Sequence, residues 1–366
     1  MLCSPSSRVL LVVCGSTGTG KSQLAVELCQ RLRASSGGWN LEVINADAMQ
    51  MYRGLEIATN KCSEGEQAGV PHHLFGHVTS PRAQLTVHDW MAQVRDCVQD
   101  MRSRGAVPLL CGGTHYYVHS LLVPTLTREA PWTERRMVGA EGEGGGPSAG
   151  STADGGEETA TQGEELWHQL QEVDPWMAER LHPRDVRKIR RSLEVWREYG
   201  RKHSDMLLQQ GHEEHKQGMG REGGADMVGI VHLSCDPDLL QGRLEARCEN
   251  MVRRGLVQEV LDFFHQCREQ GVDCEQTSRG ILQAIGCKEF LDLEHLVAEG
   301  KGDGDPSYNE VLKHCVDKLK AHTVKYAKGQ VKFIKKKLFP HANKHFRLLR
   351  VHLTGERVVV LVSSTP

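Results

Sequence analysis

The sequence predicts an α/β protein: a parallel-sheet core carrying a phosphate-binding loop (P-loop), interrupted by a helical insertion domain and followed by a basic C-terminal helical region. Three observations point there. Apolar, strand-like runs at residues 9–14, 41–45, 107–111 and 228–234 alternate with helix-like stretches, the pattern of a parallel sheet with crossover helices. The first run leads directly into Gly15-Ser16-Thr17-Gly18-Thr19-Gly20-Lys21-Ser22, which opens a helix-like stretch at 23–33. Between the third and fourth runs, residues 181–210 read as helix: Asp185 is placed to cap it, Ile189, Leu193, Trp196 and Tyr199 recur at three to four residues, and Gly200 is placed to close it.

At 366 residues the chain exceeds what one core usually organises. The boundaries predicted are a first part of the core at 1–120, the helical insertion at 121–210, a flexible loop at 211–227, completion of the core with basic helices at 228–350, and a tail at 351–366. Within the insertion, residues 139–165 hold nine glycines and seven acids with no Lys or Arg. Such a stretch cannot bury enough apolar surface to offset its ordering entropy, so a disordered acidic loop is expected. Opposite in sign, residues 311–350 contain twelve Lys or Arg against one acid, Asp317.

The composition, 39% hydrophobic and 25% charged with a formal net charge of -2, is that of a globular chain. No apolar run reaches the roughly 18 residues of a membrane span, and the early run enters a glycine-rich loop instead of a cleavage site, so neither a membrane protein nor a secreted one is expected. Twelve cysteines without a CxxC pair suggest reduced, buried thiols and a cytoplasmic location, with a mitochondrial pool left open. A monomer is expected.

Each chemical motif has a functional and a structural reading. In the Gly15–Ser22 segment, glycines turn backbone amides toward phosphate oxygens, the helix N-terminus adds a positive field, Lys21 reaches the charge and Ser22 is suited to Mg²⁺. Asp47 closes the second run, at the sheet rim where ligands bind; it suits a base or a metal helper, and equally the N-cap of a short helix. Gly112-Gly113-Thr114 follows the third run and reads either as a close-approach site with a hydroxyl or as a tight turn. His72 and His73 read better as satisfied imidazoles in a Pro-led turn than as catalysts. Arg243 and Arg247, four apart on the helix after Asp236-Pro237, face one anion together or form a solvated face.

Taken in order, GSTGTGKS, INADAMQMYRGLEIATNK, GVPHHL, LLCGGTHYYVHSLL, LHPRDVRKIRRSLEV, RLEARCENMVRRGL, GILQAIGCKEF and TVKYAKGQVKFIKKKL resemble the tRNA dimethylallyltransferase family, also called isopentenyl-tRNA transferases. The resemblance implies transfer of a dimethylallyl group from dimethylallyl diphosphate to N6 of adenosine 37, beside the anticodon, with Mg²⁺ and release of diphosphate. It implies Asp47 as general base, Thr114 at the bridging oxygen, and Lys21 with Arg243 on the leaving charge. Gly15, Thr17, Gly18, Thr19, Gly20, Lys21, Ser22, Arg243 and Arg247 would bind the diphosphate, with Ser22 on the metal. Contacts to the tRNA anticodon arm are implied at Asp47, Ala48, Met49 and Gln50, at Arg187, Lys188 and Arg191, at Gln283, Gly286 and Lys288, and at Lys325, Lys328 and Gln330. Independently, Arg187, Lys188, Arg190, Arg191 and Lys325, Lys328, Lys332, Lys335, Lys336, Lys337 suit a phosphate backbone.

Family members often have Arg where Val324 and Gly329 stand and Trp where Phe333 stands. Eukaryotic relatives commonly add a C-terminal zinc finger; here RNA binding is expected to fall to the helical insertion and the basic helix. The alternative activity is that of a P-loop kinase acting on a nucleotide or small metabolite.

Overall fold

Strands buried on both faces favour apolar side chains, and this is how β1 (Val9–Gly15) and β4 (Val107–Cys111) are built in the computed structural model, while the equally buried β2 (Leu41–Asn45) also carries Glu42 and Asn45. The structure describes residues 9–123, 158–207, 227–275, 280–302, 304–340, 342, 346–354 and 358–363. The chain divides into two compact units, Met1–Leu122 with Gly220–Pro366, and Val123–Met219.

The first unit carries a seven-stranded sheet of order β3-β2-β4-β1-β5-β6-β7, where β3 is His72–His73, β5 Met227–Cys235, β6 Arg347–Leu353 and β7 Val358–Ser363. All neighbours run parallel except β7, which is antiparallel to β6. Only four of these strands are predicted from sequence. The residues assigned to a C-terminal tail instead belong to the sheet, with β6 reaching Leu353 and β7 spanning 358–363. In β6 the alternation of Leu348, Val351 and Leu353 with Arg347, Arg350 and His352 dilutes the apolar run. Pairing with β5 supplies what local sequence does not, and His352 ties β6 to the end of β5 by bonding Ser234 and Asp236, each at 2.8 Å.

Helices cover the sheet. After the loop comes α1 (Lys21–Ala34), then a short turn α2 (Glu64–Gln67) and α3 (Val87–Ser103). A capping box between Thr86 and Asp89 starts α3, and its Trp90, Met91, Val94, Val98 and Met101 are buried at helical spacing. Trp90 Nε1 donates to Asn45 O at 2.9 Å and so anchors the end of β2. α4 (His115–Leu122) follows β4.

In the second unit, α5 (Glu158–Val173), α6 (Pro175–Ala178) and α7 (Val186–Tyr199) pack around Leu170, Met177, Ile189 and Leu193. Because α5 begins at Glu158, the last eight residues of the expected acidic loop are helical instead; acids favour a helix's first turn, and Leu166, Trp167 and Leu170 give the helix a face to bury. The rest of that loop, and most of the loop at 211–227, lie outside the described residues. α7 is shorter than the 181–210 read from sequence. It ends at left-handed Gly200 as expected, but Asp185 makes no capping bond and its carboxylate takes Lys188 Nζ at 2.9 Å. Buried Asp174 bonds the amides of Met177 and Ser204 at 3.2 and 2.8 Å.

After β5 the first unit continues with α8 (Pro237–Arg253), α9 (Leu256–Glu269), α10 (Leu291–Ala298) and the long α11 (Pro306–Phe333), which runs into a π-helical turn at Ile334–Leu338. Among the described residues no helix is long and apolar enough to cross a membrane.

Candidate active site at the carboxyl ends of β1, β2 and β4

The three central strands deliver their loops to one rim. From β1 comes the P-loop. Gly18, at φ 83°, could not carry a side chain without a backbone penalty, and a Cβ there would also lie 2.8 Å from Leu244 of α8. Thr19 Oγ1 and Lys21 Nζ both donate to Ser16 O at 2.8 Å, holding the loop around its own carbonyl. Ser22 is exposed at the first turn of α1. Burial lowers the Lys21 pKa, an effect that the Asp47 carboxylate opposes and Arg247 reinforces.

From β4 comes Gly112-Gly113-Thr114. A Cβ on Gly112 would sit 2.2 Å from the carbonyl carbon of Ala46, so only glycine lets the two strand ends approach this closely. Gly113 marks the centre of the site: a Cβ built there would lie 2.8 Å from Gln330 Nε2, 3.2 Å from Asp47 Oδ2 and 4.0 Å from Lys21 Nζ. The Thr114 amide donates to Ala46 O at 3.1 Å, and its Oγ1 accepts from the Ala48 amide at 3.0 Å.

Asp47, half-buried on β2's exit, divides its two oxygens between two tasks. Oδ1 accepts from the Met49 amide at 3.0 Å, which closes a turn and not a helix, while Oδ2 is the oxygen that faces Gly113 and Lys21. Asn45 fixes the backbone here: its side chain takes the Asp47 amide at 3.0 Å and gives Nδ2 to Asp47 O and Leu74 O at 2.9 and 3.0 Å.

Two helices from later in the chain close the site. On α8, Arg247 Nη1 donates to Thr17 Oγ1 at 2.8 Å, and burial lowers this guanidinium's pKa. Arg243, one turn earlier, is exposed, and its charge bears on Cys235 at the end of β5. On α11, Gln330 is 6% exposed; its Oε1 accepts the Thr17 amide at 2.7 Å and its Nε2 donates to Gly113 O at 2.8 Å. Tyr326 lies one turn back, and burial raises the pKa of its hydroxyl.

Beneath the loop, His115 Nε2 accepts the Gly15 amide at 3.2 Å. Burial pushes this imidazole down to about 3, so it is a neutral acceptor. Neighbouring His232 on β5 is pushed down to about 4 by burial, and Cys14 and Cys111 are pushed up to about 12 by the same cause. These four groups form the floor of the site.

The residues assigned to RNA divide. Lys325, Lys328, Lys332, Lys335, Lys336 and Lys337 lie on α11 and its π-turn, and all six are exposed, as is Lys288. Gln50 is occupied with Thr59 O and Asn60 O at 3.1 and 3.2 Å. The Gly286 amide bonds Glu289 at 2.8 Å, with Glu289 in turn bonded to His322 of α11 at 2.6 Å. Ala48 and Met49 are half-buried. In the second unit, Lys188 pairs with Asp185 and Arg191 with Glu194 at 3.5 Å, and the Arg187 side chain lies outside the described residues. His72 and His73 are structural, bonding Val70 O at 2.8 Å and Glu42 at 2.7 Å from strand β3. Sequence reasoning missed His115, Tyr326 and Glu259. The Glu259 carboxylate receives the amides of Ile57 and Ala58 at 2.8 to 3.1 Å and so shapes the loop behind Asp47.

Comparison with known proteins finds relatives of one kind. The tRNA dimethylallyltransferase of Homo sapiens is 36% identical over 342 residues, covering 89% of this chain and 66% of its own length. That of Saccharomyces cerevisiae is 31% identical over 341 residues, covering 92% and 70%. A solved eukaryotic dimethylallyltransferase acting on tRNA superposes with a TM-score of 0.68 at 28% identity, covering 94% of this chain and 74% of that one. This chain therefore spans about two thirds of the human relative's length. The pattern of the IPP transferase family matches residues 50–337, and the chain belongs to that family.

Proposed function

We propose that this protein transfers a dimethylallyl group from dimethylallyl diphosphate to N6 of adenosine at position 37 of tRNA, next to the anticodon, releasing diphosphate. One observation carries the reading: Asp47 Oδ2 and Lys21 Nζ both come within 4.0 Å of where a Cβ on Gly113 would stand, and Arg247 bonds Thr17 of the P-loop. An exocyclic aromatic amine is a weak nucleophile and requires a positioned proton acceptor, which Asp47 Oδ2 supplies while Oδ1 keeps its turn. The leaving diphosphate gathers negative charge, which Lys21, Arg247 and the loop amides are placed to receive. Thr114 Oγ1, steadied by the Ala48 amide, adds a hydroxyl at the same rim.

The donor set fits Mg²⁺. Ser22 offers a hard hydroxyl oxygen at the start of α1, which Mg²⁺ would take beside waters and the diphosphate's own oxygens, leaving Asp47 Oδ2 free as the base. Bound there, the ion would neutralise charge on the departing diphosphate. The lysines of α11 and its π-turn would meet the anticodon arm, and the target base must leave its stack to reach Asp47.

The test is direct. The protein is incubated with dimethylallyl diphosphate, Mg²⁺ and bulk tRNA, and the digested tRNA is searched for isopentenyladenosine. Absence of that nucleoside, with phosphate transfer from ATP to a small acceptor, would establish the kinase instead.

A further inference from the structure

Gln330 sits on the inner face of a helix whose outer face is lysine-rich, and it is committed at both ends. Its carbonyl takes the Thr17 amide at 2.7 Å and its amide donates to Gly113 O at 2.8 Å, across 313 and 217 residues of sequence. The side chain is buried. The Thr17 amide belongs to the loop whose amides turn toward phosphate oxygens, yet one N–H serves one strong acceptor at a time. A phosphate oxygen and Gln330 Oε1 are therefore rivals for it.

We propose that Gln330 is a positioning residue displaced by the anion: a diphosphate entering the P-loop takes the Thr17 amide from Gln330, and α11 is thereby released from the loop. The charge-assisted bond to a phosphate is the stronger of the two, so displacement runs in the direction of binding. Gln330 thus lowers the loop's anion affinity, and it carries loop occupancy to the helix that bears Lys325, Lys328 and Lys332. The link to Gly113 adds a second consequence, because the same move frees the carbonyl beside Asp47 Oδ2. This inference rests on the function proposed above only in taking a diphosphate as the loop's ligand.

Inorganic pyrophosphate is the probe, in the full chain with Mg²⁺. Titration calorimetry on wild type, Gln330→Ala and Gln330→Asn should show pyrophosphate binding roughly two- to tenfold tighter in both variants, the worth of one lost competing hydrogen bond. Asn retains the amide but is one methylene too short to span both partners, so it carries the test if the Ala variant does not fold. Hydrogen exchange in the α11 segment around Tyr326 and Gln330 should quicken on adding pyrophosphate to wild type and change little in the variants. A purely structural Gln330 would give weaker or unchanged pyrophosphate binding, and that result overturns the proposal, as does a wild-type α11 whose exchange ignores pyrophosphate. Equal binding by all three proteins removes the latch and leaves dimethylallyl transfer standing. No binding by any removes both.

Discussion

The Ala48 amide donates to Thr114 Oγ1 at 3.0 Å, so the backbone that carries Asp47 is tied to the hydroxyl at the end of β4. The carboxylate and the hydroxyl are therefore placed as a unit, and each can be tested against the other.

For Asp47→Asn the structure separates two roles. The amide oxygen of Asn can still accept from Met49, so the turn should persist and the melting temperature should move little. Loss of the proton acceptor should lower single-turnover prenylation by roughly 10² to 10⁴ with saturating tRNA. A near wild-type rate would leave Asp47 a turn residue and nothing more.

Lys335, Lys336 and Lys337 are exposed in the π-turn, between buried Ile334 and Leu338. Changing all three to Ala should leave the fold intact. If they meet phosphates, the log-log salt slope of tRNA binding should flatten by roughly 0.7 to 0.9 for each phosphate no longer neutralised. An unchanged slope places the RNA elsewhere.

His115 and His232 make folding depend on pH. Both are buried and neutral, with pKa values pushed down to about 3 and about 4. Above the ordinary histidine value of about 6.5, neither the folded nor the unfolded chain holds these protons. Between there and about 4 the unfolded chain takes up protons that the folded one refuses, so stability should fall with falling pH, by up to about 1.4 kcal/mol per pH unit for each histidine. Urea unfolding at a series of pH values should show that slope in wild type and a smaller one in His232→Leu.

Glu259 reaches back 202 residues to hold the Ile57 amide and, beside it, that of Ala58. Glu259→Ala should cost about 1 to 3 kcal/mol of stability, since two backbone donors lose a charged acceptor. Because Thr59 O and Asn60 O anchor Gln50 just beyond, the Michaelis constant for tRNA should rise more than that for dimethylallyl diphosphate. Equal rises in both would place the loop nearer the diphosphate.

What was legible in the sequence follows from where the determining interactions lie. β2 and β4 match the sequence reading to the residue: burial on both faces writes β4 as an unbroken apolar run, and in β2 Leu41, Val43 and Ile44 carry the signal around buried Glu42 and Asn45. The two-residue strand β3 is too short to show a period, and β6 alternates apolar residues with Arg and His. At the site, Lys21, Asp47 and Thr114 announce themselves because each lies in a local motif at a strand end. The floor and the latch do not. His115 meets Gly15 across 100 residues and Gln330 meets Thr17 across 313, and no local pattern encodes a partner at that distance. The arginine pair shows the converse: helical spacing put Arg243 and Arg247 on one face, but only tertiary packing decided that Arg247 meets Thr17.

The thiols of Cys14 and Cys111 end adjacent central strands directly under the P-loop, sealed from water and held almost wholly protonated at neutral pH. Alkylation requires a thiolate and an approach path, and these two have neither while the sheet is closed. They consequently act as a chemical clock on the sheet's opening: the rate at which a maleimide consumes them counts the excursions in which β1 and β4 part, and an anion that braces the loop above should slow that clock without touching either sulfur.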